Sequence, residues 1–441
     1  MVNFSALTIS QKIKNLREEK KLPQYIIADA LGISHAKASL LETGSREYSY
    51  EELELVKKHL GISKAPLTQF ELEVFKEKLY AWLDCIRDGH FEEAKKQRKR
   101  LAVIRRLPFE KDLMLLYDLM EIRLFIRQHD VKAAEDALAV VTKKLDYYVD
   151  ENMYHYYYCV GSIHLLRYKP KEALQAFTHI YNNKFDEVVR ESTLEYNIGV
   201  CYSLLGKHML AIMTTERNEQ RQDDKRNMQS GLTIAITNNQ LGLDYLKLGH
   251  IETALEHFNT SLLQAKLADH KRYICYALHN IGYAYSVRGD YRKAFKYLEE
   301  SEEYLEKGSH EYVEFLYRKY RCFIDTNAHP VKTEAYINEA IKLSKKFGDE
   351  EYELLFKFLH CLANLKTGDN AQYIEEVAIP YLLSKYYYSE ALDYCQKMQE
   401  FYIKRSKLKS NNRAERSKYE LKAFNFLSLR YEISAKMIEG R

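Results

Sequence analysis

Proline is scarce in this chain, with six in 441 residues, and glycine stands at only 16. Proline removes a backbone donor and clashes with the turn before it, and glycine loosens a helix. Long helices therefore meet few breakers. No apolar run reaches the length of a membrane span, and the N-terminus has no apolar signal-peptide core. A cytoplasmic protein with no membrane partner is expected. The net charge of +4 by itself implies no strongly basic surface. The seven cysteines, Cys85, Cys159, Cys201, Cys275, Cys322, Cys361 and Cys395, are odd in number and never form C-x-x-C. Reduced thiols are expected. P-loop, H-E-x-x-H and nucleophile-elbow motifs are missing, and the 15 histidines are scattered. The expectation is no catalytic residue, no metal and no cofactor. Tyrosine is the residue in excess, at 37. Its large amphipathic ring suits helix packing and wet grooves.

The first informative stretch is Ile9 to Ser63. Five short helical segments are expected here. Ile13 and Leu16 make an apolar stripe on a first helix, with Lys12, Lys14, Arg17, Lys20 and Lys21 off it. Pro23 suits the first turn of a second helix running to Leu31, and Gly32 allows a tight turn. Ser34 can cap a third helix that Gly44 ends. Leu53, Val56 and Leu60 close the bundle. This is a helix-turn-helix pattern, and its third helix would read a major groove.

The stretch resembles the lambda-repressor/Cro-like (XRE) family in Leu22–Gln24, in Leu31–Ser34, and in the S-x-L-E-x-G of Ser39–Gly44. The resemblance implies that Gln24 and Ser34 contact DNA, that His35, Lys37 and Ser39 read it, and that Thr43 and Arg46 hold phosphates. Leu40 stands where that family usually carries a cation, and Thr43, Pro23 and Ala38 also depart from the pattern. Residues 1–64 hold ten Lys/Arg against eight Asp/Glu, a net of +2. Phosphate neutralisation supplies most sequence-independent affinity. One module should bind weakly, and two modules on a two-fold operator should bind well.

From residue 82 onward a pattern repeats. Gly199, Gly206 and Ala211 recur as Gly242, Gly249 and Ala254, and as Gly282, Gly289 and Ala294. Trp82, Gly89 and Ala94 keep the register, as do Ile122, His129 and Ala134, and Gly161, Tyr168 and Ala173. Phe323, Ala328 and Ala335, then Cys361, Gly368 and Tyr373, extend it. The eight first members lie 38 to 43 residues apart. The first glycine would let two antiparallel helices approach, the second would end the first helix, and the alanine would seat the second helix. The pattern resembles long tetratricopeptide repeats. It implies an all-α chain in which the N-terminal five-helix domain precedes a right-handed superhelix with a concave face. The expected boundaries are 1–64, 65–401 for about eight repeats, 402–437 for a basic helical cap, and 438–441 for a protease-site remnant.

Positions two and three before the first glycine should face the groove. They supply Asn197, Asn239, Gln240, Asn280 and Arg321, with Tyr196, His279 and Tyr320 beside them. Tyr276 and Tyr283 flank Asn280 and would wall side-chain pockets. Carboxamides can donate to and accept from a peptide backbone, and arginine can grip a carboxylate. Asn at this position can equally tie neighbouring helices together. The basic run Lys95 to Arg106 is either a solvated outer face or a contact for flanking phosphates or an acidic protein.

The whole arrangement resembles the peptide-controlled quorum-sensing regulators of Gram-positive bacteria, the Rap/Rgg/NprR/PlcR/PrgX group, and the NprR type most. The resemblance implies a transcription factor whose repeats bind a short signalling peptide. Its partners would be double-stranded DNA, that peptide and further copies of itself, as a homodimer or higher oligomer. A Rap-like role, binding a phosphorelay response regulator to sequester or dephosphorylate it, is the alternative.

Overall fold

The computed structural model describes residues 8–61, 66–107, 109–143, 149–187, 189, 191, 193–220, 231–305, 307–325, 330–365, 368–385, 387–408 and 412–439; for 218–220, 310–311, 322–323, 325, 330–334, 389 and 437–439 it describes the backbone alone. The described residues contain helices and no strand. No helix among them is long and apolar enough to cross a membrane. Six cysteines are free thiols, and burial pushes Cys275 and Cys395 up to about 12. The Cys322 side chain, Lys64–Ala65, Ala328 and residues 440–441 lie outside the described set.

Among the described residues the N-terminal module has four helices where five were expected: α1 (Ile9–Glu19), α2 (Tyr25–Leu31), α3 (His35–Glu42) and α4 (Tyr50–His59). The next, α5 (Gln69–Arg87), opens the first repeat. Side-chain caps set the starts. Thr8 with Gln11, and Ser49 with Glu52, form reciprocal capping boxes, and Ser34 caps α3. Gly32, at φ +62°, ends α2 in the left-handed conformation that glycine adopts without strain. Ile13, Ile27, Ala38 and Val56 form the core.

The repeats follow as α6 (Phe91–Leu101), α7 (Lys111–Arg127), α8 (Val131–Thr142), α9 (Asp150–Leu166), α10 (Pro170–Asn182), α11 (Thr193–Leu204), α12 (His208–Gln220), α13 (Gly231–Lys247) and α14 (Ile251–Leu267). They continue as α15 (Lys271–Arg288), α16 (Tyr291–Glu302), α17 (His310–Asp325), α18 (Pro330–Phe347), α19 (Glu350–Ala363), α20 (Gly368–Tyr373), α21 (Ile379–Ser384), α22 (Tyr388–Ser406) and α23 (Arg413–Glu439). Gly242 shows why the first repeat position is small. A Cβ there would lie 2.5 Å from the Phe258 ring, which is fully buried. Ala94, Ala134, Ala173, Ala211, Ala254 and Ala294 are all buried. Gly206, Gly249 and Gly289 end their helices at positive φ. At the matching positions His129 and Tyr168 also take positive φ, +58° and +53°.

The register fails further on. Ala335 is exposed, and Ala340 fills the buried position in α18. Gly368 begins α20 instead of ending a helix, and Ala371, not Tyr373, is the fully buried residue there. The expected boundary at 401/402 falls inside α22, which pairs with α23 as a further hairpin. Two compact units divide the chain, one running to Arg167 together with Gln175–Arg190, the other comprising Tyr168–Leu174 and the chain from Glu191. The N-terminal module thus shares a unit with the first repeats, because Phe109 enters its core.

Candidate functional site

Two sets of residues carry the chemistry, one in each unit. In the first, α3 presents His35 and Lys37 exposed and Ser39 half-buried, with Leu40 exposed beside them. The Ser34 hydroxyl accepts the Lys37 N–H at 3.4 Å, so it serves first as the helix cap. Thr43 is exposed and donates to the Leu40 carbonyl. Arg46 is bound to Glu52 at 2.5 Å. Gln24 differs most from the expected contact role: its Nε2 donates to the buried Glu42 at 2.9 Å.

Two cations read as surface residues are buried. Arg17 forks onto Glu42 at 2.5 and 3.0 Å, and its guanidinium is held above its ordinary pKa by that bond. Lys12 lies 2.7 Å from Glu110, which also accepts the Leu67 N–H. Lys20 donates to the Leu60 carbonyl. A periodicity argument counts such residues as polar and places them outside; partners 25 and 98 residues away bring Arg17 and Lys12 in. The basic run Lys95–Arg106, on α6 and the turn after it, is met only in part within the unit: Arg98 meets Glu121, and Arg105 meets Asp118 and Glu121.

In the second unit, the first helices of successive hairpins line a cavity of about 430 Å³. Of the seven groove residues expected from sequence, Gln240, Asn280, Tyr283 and Arg321 line it; Asn197, Asn239 and Tyr276 do not. The carboxamides are used within the protein. Asn280 donates to Asn239 at 2.8 Å, which ties α15 to α13. Gln240 donates to Ser203 and to Asp244, and Asp244 also meets His208 at 2.7 Å. Tyr276 is half-buried, its hydroxyl donating to Glu314. Tyr320 is buried, stacks on the exposed Tyr336, and does not line the cavity.

The rest of the wall carries paired charges, an imidazole and tyrosines. Arg318 bonds Glu314 at 2.7 Å, and Arg321 pairs with Asp393. The Glu314 carboxyl is held below its usual range by Arg318 and Arg272 although burial opposes this. His279 is buried on the wall, and burial with the nearby Arg318 and Lys319 charges pushes it down to about 3. It is neutral at ordinary pH, and its Nδ1 has no hydrogen-bond partner among the described residues. Tyr168 meets Tyr387 edge to face at 5.5 Å, and Tyr387 donates to Glu351. Tyr168 was detectable as the tyrosine in a glycine position; Arg318 on α17, Asp393 on α22 and Tyr387 just before α22 hold no position that the repeat marks.

The wall therefore combines aromatic rings, neutral amide and imidazole groups, and paired charges. Such a surface can receive an extended polar chain with apolar side groups. Residues 233–307 match the family model described as Tetratricopeptide repeat. The chain is 21% identical to the Transcriptional activator NprA of Geobacillus stearothermophilus, covering 89% of this chain and 98% of that protein. It is 24% identical to the Response regulator aspartate phosphatase A of Bacillus subtilis (strain 168), covering 69% and 85%. A Rap protein solved in complex with competence and sporulation factor superposes with a TM-score of 0.70 at 17% identity, over 84% of this chain and all of that one. The apo quorum sensor NprR of B. thuringiensis superposes with a TM-score of 0.62 at 21% identity, over 80% and 99%. The chain resembles the Rap and NprR regulators, and its fold is that of their tetratricopeptide-repeat arrays.

Proposed function

We propose that this protein is a cytoplasmic DNA-binding regulator controlled by a short signalling peptide held in the second unit. The observation that carries the reading is the cavity walled by Gln240, Asn280, His279, Tyr283 and Arg321, in a chain whose N-terminal helices α2 and α3 fit the expected helix-turn-helix. Neutral His279 can accept or donate to a peptide bond without burying a charge. Arg321, now paired with Asp393, can exchange that partner for a peptide carboxylate. His35, Lys37 and Ser39 would meet base edges while Thr43 and Arg46 hold phosphates. Gln24 and Ser34 would act mainly by shaping α2 and α3.

The relative named as a transcriptional activator supports the DNA reading, and the Rap structure with its bound factor supports the peptide reading. Footprinting of genomic DNA with the purified full chain, with and without peptides from short reading frames beside its gene, tests both. Protection of a two-fold site that changes on adding one peptide is expected. Absence of any protected site removes the DNA reading. A peptide-independent footprint removes the control.

A second reading rests on the similarity to the aspartate phosphatase. In it, the repeats bind a response regulator. Faster loss of phosphate from a phosphorylated regulator, or a stable complex with it, would support that role.

A further inference from the structure

Helix α23 is apolar on two opposite faces. Ala423, Phe426 and Ile433 are buried, and Phe426 stacks on Tyr402 of α22. On the other side Leu421, Phe424 and Tyr431 are 61%, 65% and 71% exposed. Isolated exposed apolar residues are ordinary. These are not isolated: with the exposed Ser428 and Ala435 they recur at alternating steps of three and four. That spacing is the seam of a two-stranded coiled coil.

We propose that α23 pairs antiparallel with α23 of a second copy of this chain, about a two-fold axis beside Asn425. The charges select this partner and this direction. Lys418 and Glu432 are both exposed, and each lies seven residues from Asn425 on the same edge of the seam. An antiparallel pair therefore sets Lys418 against Glu432 of the second copy, twice by symmetry. The same register puts Leu421 on Tyr431 and sets Phe424 opposite the small Ser428. A parallel pair would bring Arg413 against Lys418 of the second copy, two like charges at flanking positions. The helix is thus complementary to itself in one orientation only. Its pairing needs neither DNA nor peptide, so it does not rest on the proposed function.

Light scattering on the full chain tests this. The wild type should weigh twice its 52.2 kDa. Phe424→Arg should fall to the mass of one chain with unchanged helicity, since that ring is exposed; Tyr431→Arg gives the same readout if Phe424→Arg unfolds. Lys418→Glu and Glu432→Lys should each weaken association about tenfold, as two favourable pairs become two repulsive ones. The double variant Lys418→Glu/Glu432→Lys should recover to within about twofold, because the pair is restored with its signs exchanged. A wild type that stays monomeric at every concentration, a folded Phe424→Arg that keeps the wild-type mass, or a double variant no better than the singles would overturn the proposal.

Discussion

Lys12 of the N-terminal module and Glu110 of the first repeats form an ion pair at 2.7 Å whose two side chains are only 6% and 4% exposed. Glu110 also accepts the Leu67 N–H at 2.8 Å, and Phe109 packs beside it in the module core. The module is therefore clamped to the repeats that follow it by a charge, a backbone bond and a ring.

Removing one partner of this pair should cost far more than removing both. Glu110→Ala strands a buried ammonium and an amide, which typically costs about 3–5 kcal/mol. The double variant Lys12→Met/Glu110→Leu should lose less than half as much, since apolar replacement of a buried pair is often neutral. Urea unfolding of the two proteins measures the difference. Equal losses would show that the pair is not the coupling element.

The two kinds of repeat glycine should respond differently to alanine. Gly242→Ala forces a methyl to within 2.5 Å of the Phe258 ring, and overpacking of that sort costs about 1–3 kcal/mol. Gly289→Ala meets no atom within 4 Å but must hold φ +86°, at about 1–2 kcal/mol. Only the first should be relieved by Phe258→Leu, as thermal unfolding of the four proteins would reveal.

Stability should fall in acid partly through His279. Its folded pKa lies near 3 and its ordinary value is 6.5. The unfolded chain therefore binds a proton that the folded chain refuses. The neutral imidazole costs nothing above pH 6.5, and stability is lost as pH drops from there toward 3, by up to about 1.4 kcal/mol per pH unit. His279→Gln should flatten the curve of unfolding free energy against pH across that window. An unchanged slope would remove the assignment.

Tyr168 occupies the turn position at φ +53° where other repeats carry glycine. Tyr168→Gly should relieve about 1–2 kcal/mol of backbone strain while losing the contact with Tyr387. The unfolding midpoint should stay near wild type while affinity for a bound peptide drops, as calorimetric titration would show. Unchanged affinity would place Tyr168 outside the binding surface.

Lys37→Ala should weaken operator binding without affecting the fold, and by more than it weakens binding to unrelated DNA, because it removes a base contact. Gln24→Ala should act differently, by freeing Glu42 and loosening the Arg17 network. Titrations of the operator and of unrelated DNA, paired with melting curves, separate the two outcomes.

The repeat spacing alone located most hairpins, because one small residue per pair must admit the facing ring or helix. Its reach is visible in His129 and Tyr168, which adopt the left-handed turn at positions named by spacing though neither is glycine. It faded at Ala335 and Gly368, where later hairpins pack through Ala340 and Ala371. The groove was legible in part. Gln240, Asn280, Tyr283 and Arg321 line the cavity, whereas Asn239 binds Asn280 and Tyr320 is buried and stacked on Tyr336.

What the sequence by itself determined is whatever depends on near neighbours: helical periodicity, caps such as Thr8 and Ser49, the turn at Gly32, and the helix pairing within each early repeat. What only the tertiary structure decided is the fate of the charges and amides. Lys12 finds Glu110, Arg17 finds Glu42, and Arg321 finds Asp393, at separations of 98, 25 and 72 residues. A polar side chain far from its partner looks the same in sequence whether it will face water, a ligand or its counter-charge. The cost of burying it unpaired selects among these once the chain has closed around it.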